Sequence, residues 1–170
     1  MSPIEIIVIA AVVAGAIILV LRKGVGFQSE ALRDYKASAN DIPKLVERLK
    51  AGTEDPRFAA FVFGPGQSNE KPDYKEAVNL QYSVENGEVG FDWVLIAERN
   101  IADKDEIIRI ARAIGLSLKE QVMNDVRYLR VESTKAVELG MKVMRDFYKV
   151  DPDKKVYLVV EGFEWEEEGE

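Results

Sequence analysis

The pattern of apolar positions changes once along this chain. From Ile6 to Leu21 no residue is charged or strongly polar, and after Arg22-Lys23 the apolar residues recur at short, regular intervals instead. Ser2-Pro3-Ile4-Glu5 has the form of a helix start, with Ser2 as cap, Pro3 at the first helical position and Glu5 closing a capping box. The predicted helix covers residues 3–23, and at 1.5 Å per residue its apolar part spans about 24 Å. Snorkelling by Arg22 and Lys23 extends it toward the roughly 30 Å of a bilayer core.

Beyond a joint at Gly24-Val25-Gly26, the spacing predicts a helix from Ser29 to about Ala39, with Leu32 and Tyr35 on one side. A second helix follows from about Asp41 to Ala51, with Ile42, Leu45, Val46 and Leu49 at core spacing and Gly52 as its stop. FAAFVF at 58–63 reads as a buried strand, and GPGQSNEKPD at 64–73 as a polar loop without the GK[ST] of a phosphate-binding loop. In 78–97, Val78, Leu80, Tyr82 and Val84 alternate with polar residues and lead into Asn86-Gly87, a strong hairpin turn. A two-residue turn pairs Glu85 with Glu88, Val84 with Val89, Tyr82 with Phe91, Leu80 with Trp93 and Val78 with Leu95, and it sets Gln81 beside Asp92. Asp103 with Glu106 reads as the capped start of a helix ending at Gly115, with Ile107, Ile108, Ala111 and Ile114 inward. Two strands follow around Asn124-Asp125, and the register across 118–131 stays open. Ser133 or Thr134 starts a helix with Val137, Gly140, Met141, Met144 and Phe147 on one face, and KVYLVVEGF makes a last strand.

These elements divide the chain into an anchor helix (1–23), a juxtamembrane linker with helices (24–56), an α+β domain (57–163) and an acidic tail (164–170). The order after the anchor is α-α-β-β-β-α-β-β-α-β. It favours a two-layer sandwich of a largely antiparallel sheet with helices mainly on one face. Residues 88–163 read β-α-β-β-α-β, an order that resembles the ferredoxin-like fold. Residues 41–149 read α-β-β-β-α-β-β-α, which is similar to secretion-chaperone-like domains. The hairpin favours the longer meander with a final strand added, because a tight partner at 78–84 displaces a neighbour from a central ferredoxin-like strand.

Charge gives the anchor a direction. Glu5 precedes the apolar run and Arg22-Lys23 follow it, with Arg33 and Lys36 beyond. A cleaved secretory signal carries its positive charge first, so the run reads as an uncleaved anchor. The positive-inside tendency then puts the N-terminus outside and residues 24–170 in the cytoplasm. Membrane lipid is thus the expected partner of residues 3–23. Ala10 with Ala14, and Ala11 with Gly15, form small-xxx-small pairs, the candidate positions for anchor pairing in a homo-oligomer. The formal charge of −7 falls mainly after the linker: residues 58–170 carry fifteen Lys/Arg against twenty-three Asp/Glu. That balance points away from nucleic acid, whose binding rests on neutralising phosphates.

The chain has no cysteine and no histidine, which excludes disulfides, thiol nucleophiles, imidazole acid–base chemistry and the usual zinc sites. No calcium-loop pattern is present, and no catalytic, cofactor-binding or metal-ligating residue is expected. Asp92, set between Phe91 and Trp93, is the most suggestive single carboxylate, although a solvated or hydrogen-bonded role fits it better than catalysis. Arg127, Tyr128 and Arg130 suit recognition of a carboxylate or a protein surface, against the plainer reading in which the arginines pair with Glu120 or Glu132. Phe163 and Trp165, among the acids of GFEWEEEGE, either cap the core or anchor a partner. The inventory points to a membrane-anchored, non-enzymatic interaction domain or accessory subunit that binds a protein. A carboxylate-dependent hydrolase or transferase is the alternative from another class, and a sensor signalling through self-association is the third reading.

Overall fold

The structure is a computed structural model, and it describes residues 33–53, 57–64, 76–123 and 125–166. The anchor with Ala10, Ala11, Ala14 and Gly15, the joint at 24–26, most of the 64–73 loop and the last four residues lie outside the described residues. Among the described residues no helix is long and apolar enough to cross a membrane.

The described chain begins with β1 (Arg33–Ala37), a 3-10 turn (Ala39–Asp41) and α1 (Ile42–Ala51). Then come β2 (Phe58–Phe63), β3 (Val78–Glu85) and β4 (Glu88–Val94). Two helices follow, α2 (Glu98–Ala102) and α3 (Lys104–Ala113), and then β5 (Lys119–Met123) and β6 (Val126–Glu132). The chain ends on α4 (Ala136–Lys142), which runs on as a π-helix (Val143–Phe147), and β7 (Val156–Glu161). These seven strands form one antiparallel sheet in the order β1-β7-β2-β3-β4-β6-β5. The architecture is mixed α+β.

The first element corrects the sequence reading. A helix was expected from Ser29 to Ala39, but residues 33–37 are a strand paired with β7, Tyr35 opposite Leu158 and Ala37 opposite Val156. Local helix preference loses to this pairing, because β7 carries five apolar residues and takes a second neighbour besides β2. Asp41 then turns the chain: its carboxylate accepts the Ser38 backbone N–H at 2.7 Å and the Ser38 hydroxyl at 3.0 Å. In α1 the expected stripe of Ile42, Leu45, Val46 and Leu49 is buried.

The hairpin follows its turn chemistry. Asn86 and Gly87 both have positive φ, as the tightest two-residue turn requires, and Glu85–Glu88, Val84–Val89, Tyr82–Phe91 and Gln81–Asp92 are paired. Toward the other end of β3 a side chain replaces the strand. Asn100 in α2 accepts the Asn79 backbone N–H at 3.0 Å and donates its own amide to the Asn79 carbonyl at 2.7 Å. Its backbone carbonyl also takes the Trp93 indole N–H at 2.9 Å. The open register of β5 and β6 resolves as Met123 opposite Val126 and Lys119 opposite Arg130. β4 has β3 and β6 as neighbours while β7 lies between β1 and β2, so the meander β2-β3-β4-β6-β5 is contiguous.

One core joins Ala59, Phe61, Phe63, Leu80, Tyr82, Phe91, Trp93 and Leu129 of the sheet to α1, α3 and α4. Each fully buried large side chain there contributes about 1.5–3 kcal/mol. Asp103, expected to cap α3, makes no capping bond; its carboxylate accepts Arg99 and the Tyr148 hydroxyl, each at 2.7 Å. Tyr148 follows the π-helix and packs edge-on to Phe63 at 5.4 Å and stacked on Trp93 at 6.4 Å.

In this core Tyr82 lies directly over Gly140. The Tyr82 hydroxyl donates to the Ala136 carbonyl at 3.1 Å, and a Cβ at position 140 would fall on that hydroxyl. Gly140→Ala should therefore cost about 1–3 kcal/mol, the usual range for overpacking, in urea unfolding. Tyr82→Phe alone should cost about 1 kcal/mol for the lost hydrogen bond. The double variant should be more stable than Gly140→Ala, because removing the hydroxyl makes room for the methyl. Strict additivity of the two losses would contradict this packing.

Candidate functional site

Alternation along β3 predicts polar residues facing water, yet all eight residues of the strand are buried. Val78, Leu80, Tyr82 and Val84 fill the helix-covered core. Asn79, Gln81, Ser83 and Glu85 point to the other face, where they meet groups from β4 and β6. The centre of that face is Arg130, 2% exposed.

The guanidinium of Arg130 ties three strands together. Its Nη1 donates to the Asp92 carboxylate at 2.6 Å and to the Ser83 hydroxyl at 2.9 Å. Its Nε donates to Glu132 at 2.9 Å and lies 3.6 Å from Glu85. The remaining Nη2 reaches the Glu88 carbonyl at 3.2 Å. The Ser83 hydroxyl donates in turn to the second oxygen of Asp92. Tyr128, one pleat along β6, donates toward Glu85 at 3.1 Å and Gln121 at 2.9 Å. Gly90 makes the arrangement sterically open, because a Cβ there would lie 2.5 Å from Arg130 Cζ. A strand glycine here marks close approach by another group.

Burial is the largest influence on Asp92 and pushes its pKa up to about 6; Arg130 and Ser83 pull it down, while Glu85 pushes it further up. Burial opposes the charge of Arg130, but Asp92, Glu132 and Glu85 outweigh it and raise its pKa above the ordinary value. Tyr128 is pushed up by burial and by the Glu85 carboxylate. Chemically the cluster is a closed clamp. Both oxygens of Asp92 are bonded, and the Ser83 hydroxyl is engaged as donor and as acceptor. Two acceptors on the same face, Asn79 Oδ1 and Gln81 Oε1, are buried without a hydrogen-bond partner. Among the described residues no cluster of three or more Asp/Glu could hold a metal ion.

The structure separates the residues that the sequence grouped. Arg127 shares a face with Leu129, is 58% exposed at its side chain and bonds Glu120, whose other oxygen accepts Lys104. Tyr128 and Arg130 lie on the opposite face and are buried. Trp165 is buried in the main core, and Lys44 Nζ lies over its ring at 5.4 Å. Phe163 packs half-buried against the same core. Ser83, Glu85, Gly90 and Asn100 were not singled out from sequence. Their signal was a polar row on β3 facing Asp92, and it became readable only with the β4–β6 pairing that sets Arg130 opposite Asp92.

Grooves on the described surface include two that Asp92 does not reach, and the larger touches the clamp only at Glu88 and Glu132. One, of about 660 Å³, is bounded by α1, the β3–β4 turn and the start of α4. The other, of about 320 Å³, runs between α3 and α4, where Glu106 pairs with Arg109 and Asp146 with Lys142. Asp92 lines neither.

The pKa of Asp92 sets a sign for stability against pH. Its folded value of about 6 stands above the ordinary 3.8, so the folded state holds the proton more tightly. The stabilisation it contributes is complete below 3.8 and is lost as pH rises through about 6. Wild-type protein should need more urea to unfold at pH 5.5 than Asp92→Asn predicts from its own change between pH 7.5 and pH 5.5. Identical pH slopes for the two proteins would sink this assignment. Comparison of the chain with protein-family models, curated proteins and solved structures found no match.

Proposed function

We propose that the chain is a single-pass membrane protein whose α+β domain is a non-enzymatic interaction domain, or accessory subunit of a membrane complex, at the cytoplasmic face. The anchor reading rests on the sixteen uncharged positions from Ile6 to Leu21, flanked by Glu5 before and Arg22-Lys23 after. The non-enzymatic reading is carried by Asp92. The carboxylate best placed for catalysis is 1% exposed and has both oxygens bonded within the protein. An acid–base group needs hydrogen-bond reach to a substrate atom, and Asp92 lines neither groove.

The finer architecture belongs to the same reading. The helices contribute their buried residues to the sheet face that carries Phe61, Leu80, Tyr82 and Trp93. That supports a two-layer domain, while the contiguous meander with β7 added at the β2 edge supports the likeness to secretion-chaperone-like element order.

Alkaline carbonate should leave the full-length chain in the membrane pellet, and protease added to intact cells should leave residues 24–170 uncut. Release by carbonate would remove the anchor, and digestion in intact cells would reverse the topology. Turnover of a small molecule by purified protein, lost on Asp92→Asn while the fold is kept, would replace the interaction domain by the carboxylate-dependent enzyme.

A further inference from the structure

β2 is apolar on both of its faces. FAAFVF at 58–63 has no polar side chain, and all six residues are buried. A strand with helices over one face and water on the other alternates, whereas a continuous apolar run marks burial on both. Ala59, Phe61 and Phe63 meet the helices in the core. Phe58, Ala60 and Val62 lie on the other face, in register with Ser83, Gln81 and Asn79, and Ala60 also pairs with Val159 of β7. Phe58 and Ala60 are 0% exposed, Val159 2% and Val62 3%.

None of the described helices lies over this patch. The buried apolar residues of α1, α3 and α4 all belong to the core on the opposite face. Ile96, Met123 and Val126 pack around Val94 and Tyr128, on the far side of β3 from the patch. The structure holds a single chain, so the cover comes from that chain, outside its described residues.

Position and composition select the segment. The chain enters the sheet at Arg33, opposite Val160, and the next row outward pairs Glu161 with Phe58. Residues before Arg33 therefore arrive at the β1 edge of the patch. Three strand spacings, about 14 Å, carry them across β7 and β2 to β3. Residues 24–32, GVGFQSEAL, reach about 32 Å when extended and bring Val25, Phe27, Ala31 and Leu32. Gln28 and Ser29 add donors for a face on which Asn79 Oδ1 and Gln81 Oε1 are buried without one. By contrast, residues 65–75 read PGQSNEKPDYK, and 54–56 and 167–170 are short and acidic.

We infer that residues 24–32 lie across β7 and β2 on this face and cover Phe58, Ala60, Val62 and Val159, with Phe27 as the main apolar contact. The inference rests on the anchored reading, which assigns residues 3–23 to the bilayer. The joint between anchor and domain is then a docked strap. Drawing it off the sheet uncovers an apolar surface beside the Arg130 clamp.

The chain has no cysteine, so one introduced thiol reports on one place. In membranes containing the full-length protein, Ala60→Cys should react slowly with a maleimide, as should Ala111→Cys in the helix-covered core. Adding Phe27→Ser and Leu32→Ser should speed labelling of Ala60→Cys at least tenfold and leave Ala111→Cys unchanged. No rise at Ala60→Cys, or an equal rise at both thiols, would overturn the inference, as would a rise produced instead by Tyr74→Ser. In carbonate-resistant protein those results sink this inference alone. A rise produced instead by Val12→Ser with Val13→Ser, in protein that carbonate releases, gives the face to the apolar run and removes the anchor as well.

Discussion

A guanidinium that is 2% exposed must be answered by charge where it sits, and the arrangement of β3, β4 and β6 follows from how Arg130 is answered. Removing an ion from water costs several kcal/mol after relaxation, and only close partners with good geometry recover it. Asp92 and Ser83 provide them from two neighbouring strands, with Glu132 and Glu85 at the margin. Each contact fixes a register. A slip of β6 by one residue would turn Arg130 toward the apolar core beside Trp93 and set Leu129 against the buried Asp92 carboxylate in its place. The clamp thus contributes more to uniqueness of pairing than to net stability, because a well-packed apolar set of equal volume often matches a buried ion pair.

The same three strands show where the sequence was legible and where it was not. The hairpin could be read from its turn as far as Gln81–Asp92, since Asn86-Gly87 and the alternation on both sides agree, while the expected Leu80–Trp93 and Val78–Leu95 pairs fall beyond the ladder, where Asn100 takes the β3 backbone. Helix α1 was equally plain from Ile42, Leu45, Val46 and Leu49. Strand β1 was not, because five residues with two apolar side chains give almost no period, and its partner lies over a hundred positions away. The site was half legible. Asp92 stood out and its neighbour Gln81 followed from the turn, but Arg130 stayed with Arg127 and Tyr128 until the β4–β6 register separated them.

That separation changes what the arginine–tyrosine cluster means. A surface patch read from three near-contiguous residues becomes one exposed arginine bonded to Glu120 and two buried groups that hold the sheet. Trp165 moves the same way, from an aromatic among acids to a core residue under Lys44. Adjacency in a strand is a poor guide to a shared surface, because consecutive side chains point to opposite faces. The larger of the two grooves is assembled from α1, a turn and a helix start, none of them close in sequence.

Asn100 has a consequence of another kind. Its side-chain amide has the donor and acceptor of a peptide group, and at Asn79 it stands in for one residue of a strand. β4 is thereby free to leave the sheet after Val94 and turn into α2 without stranding the backbone of β3. The substitution also acts as a stopper. A foreign strand approaching β3 past the end of β4 meets a donor and an acceptor that are already spent, so the sheet cannot be lengthened there by an outside chain.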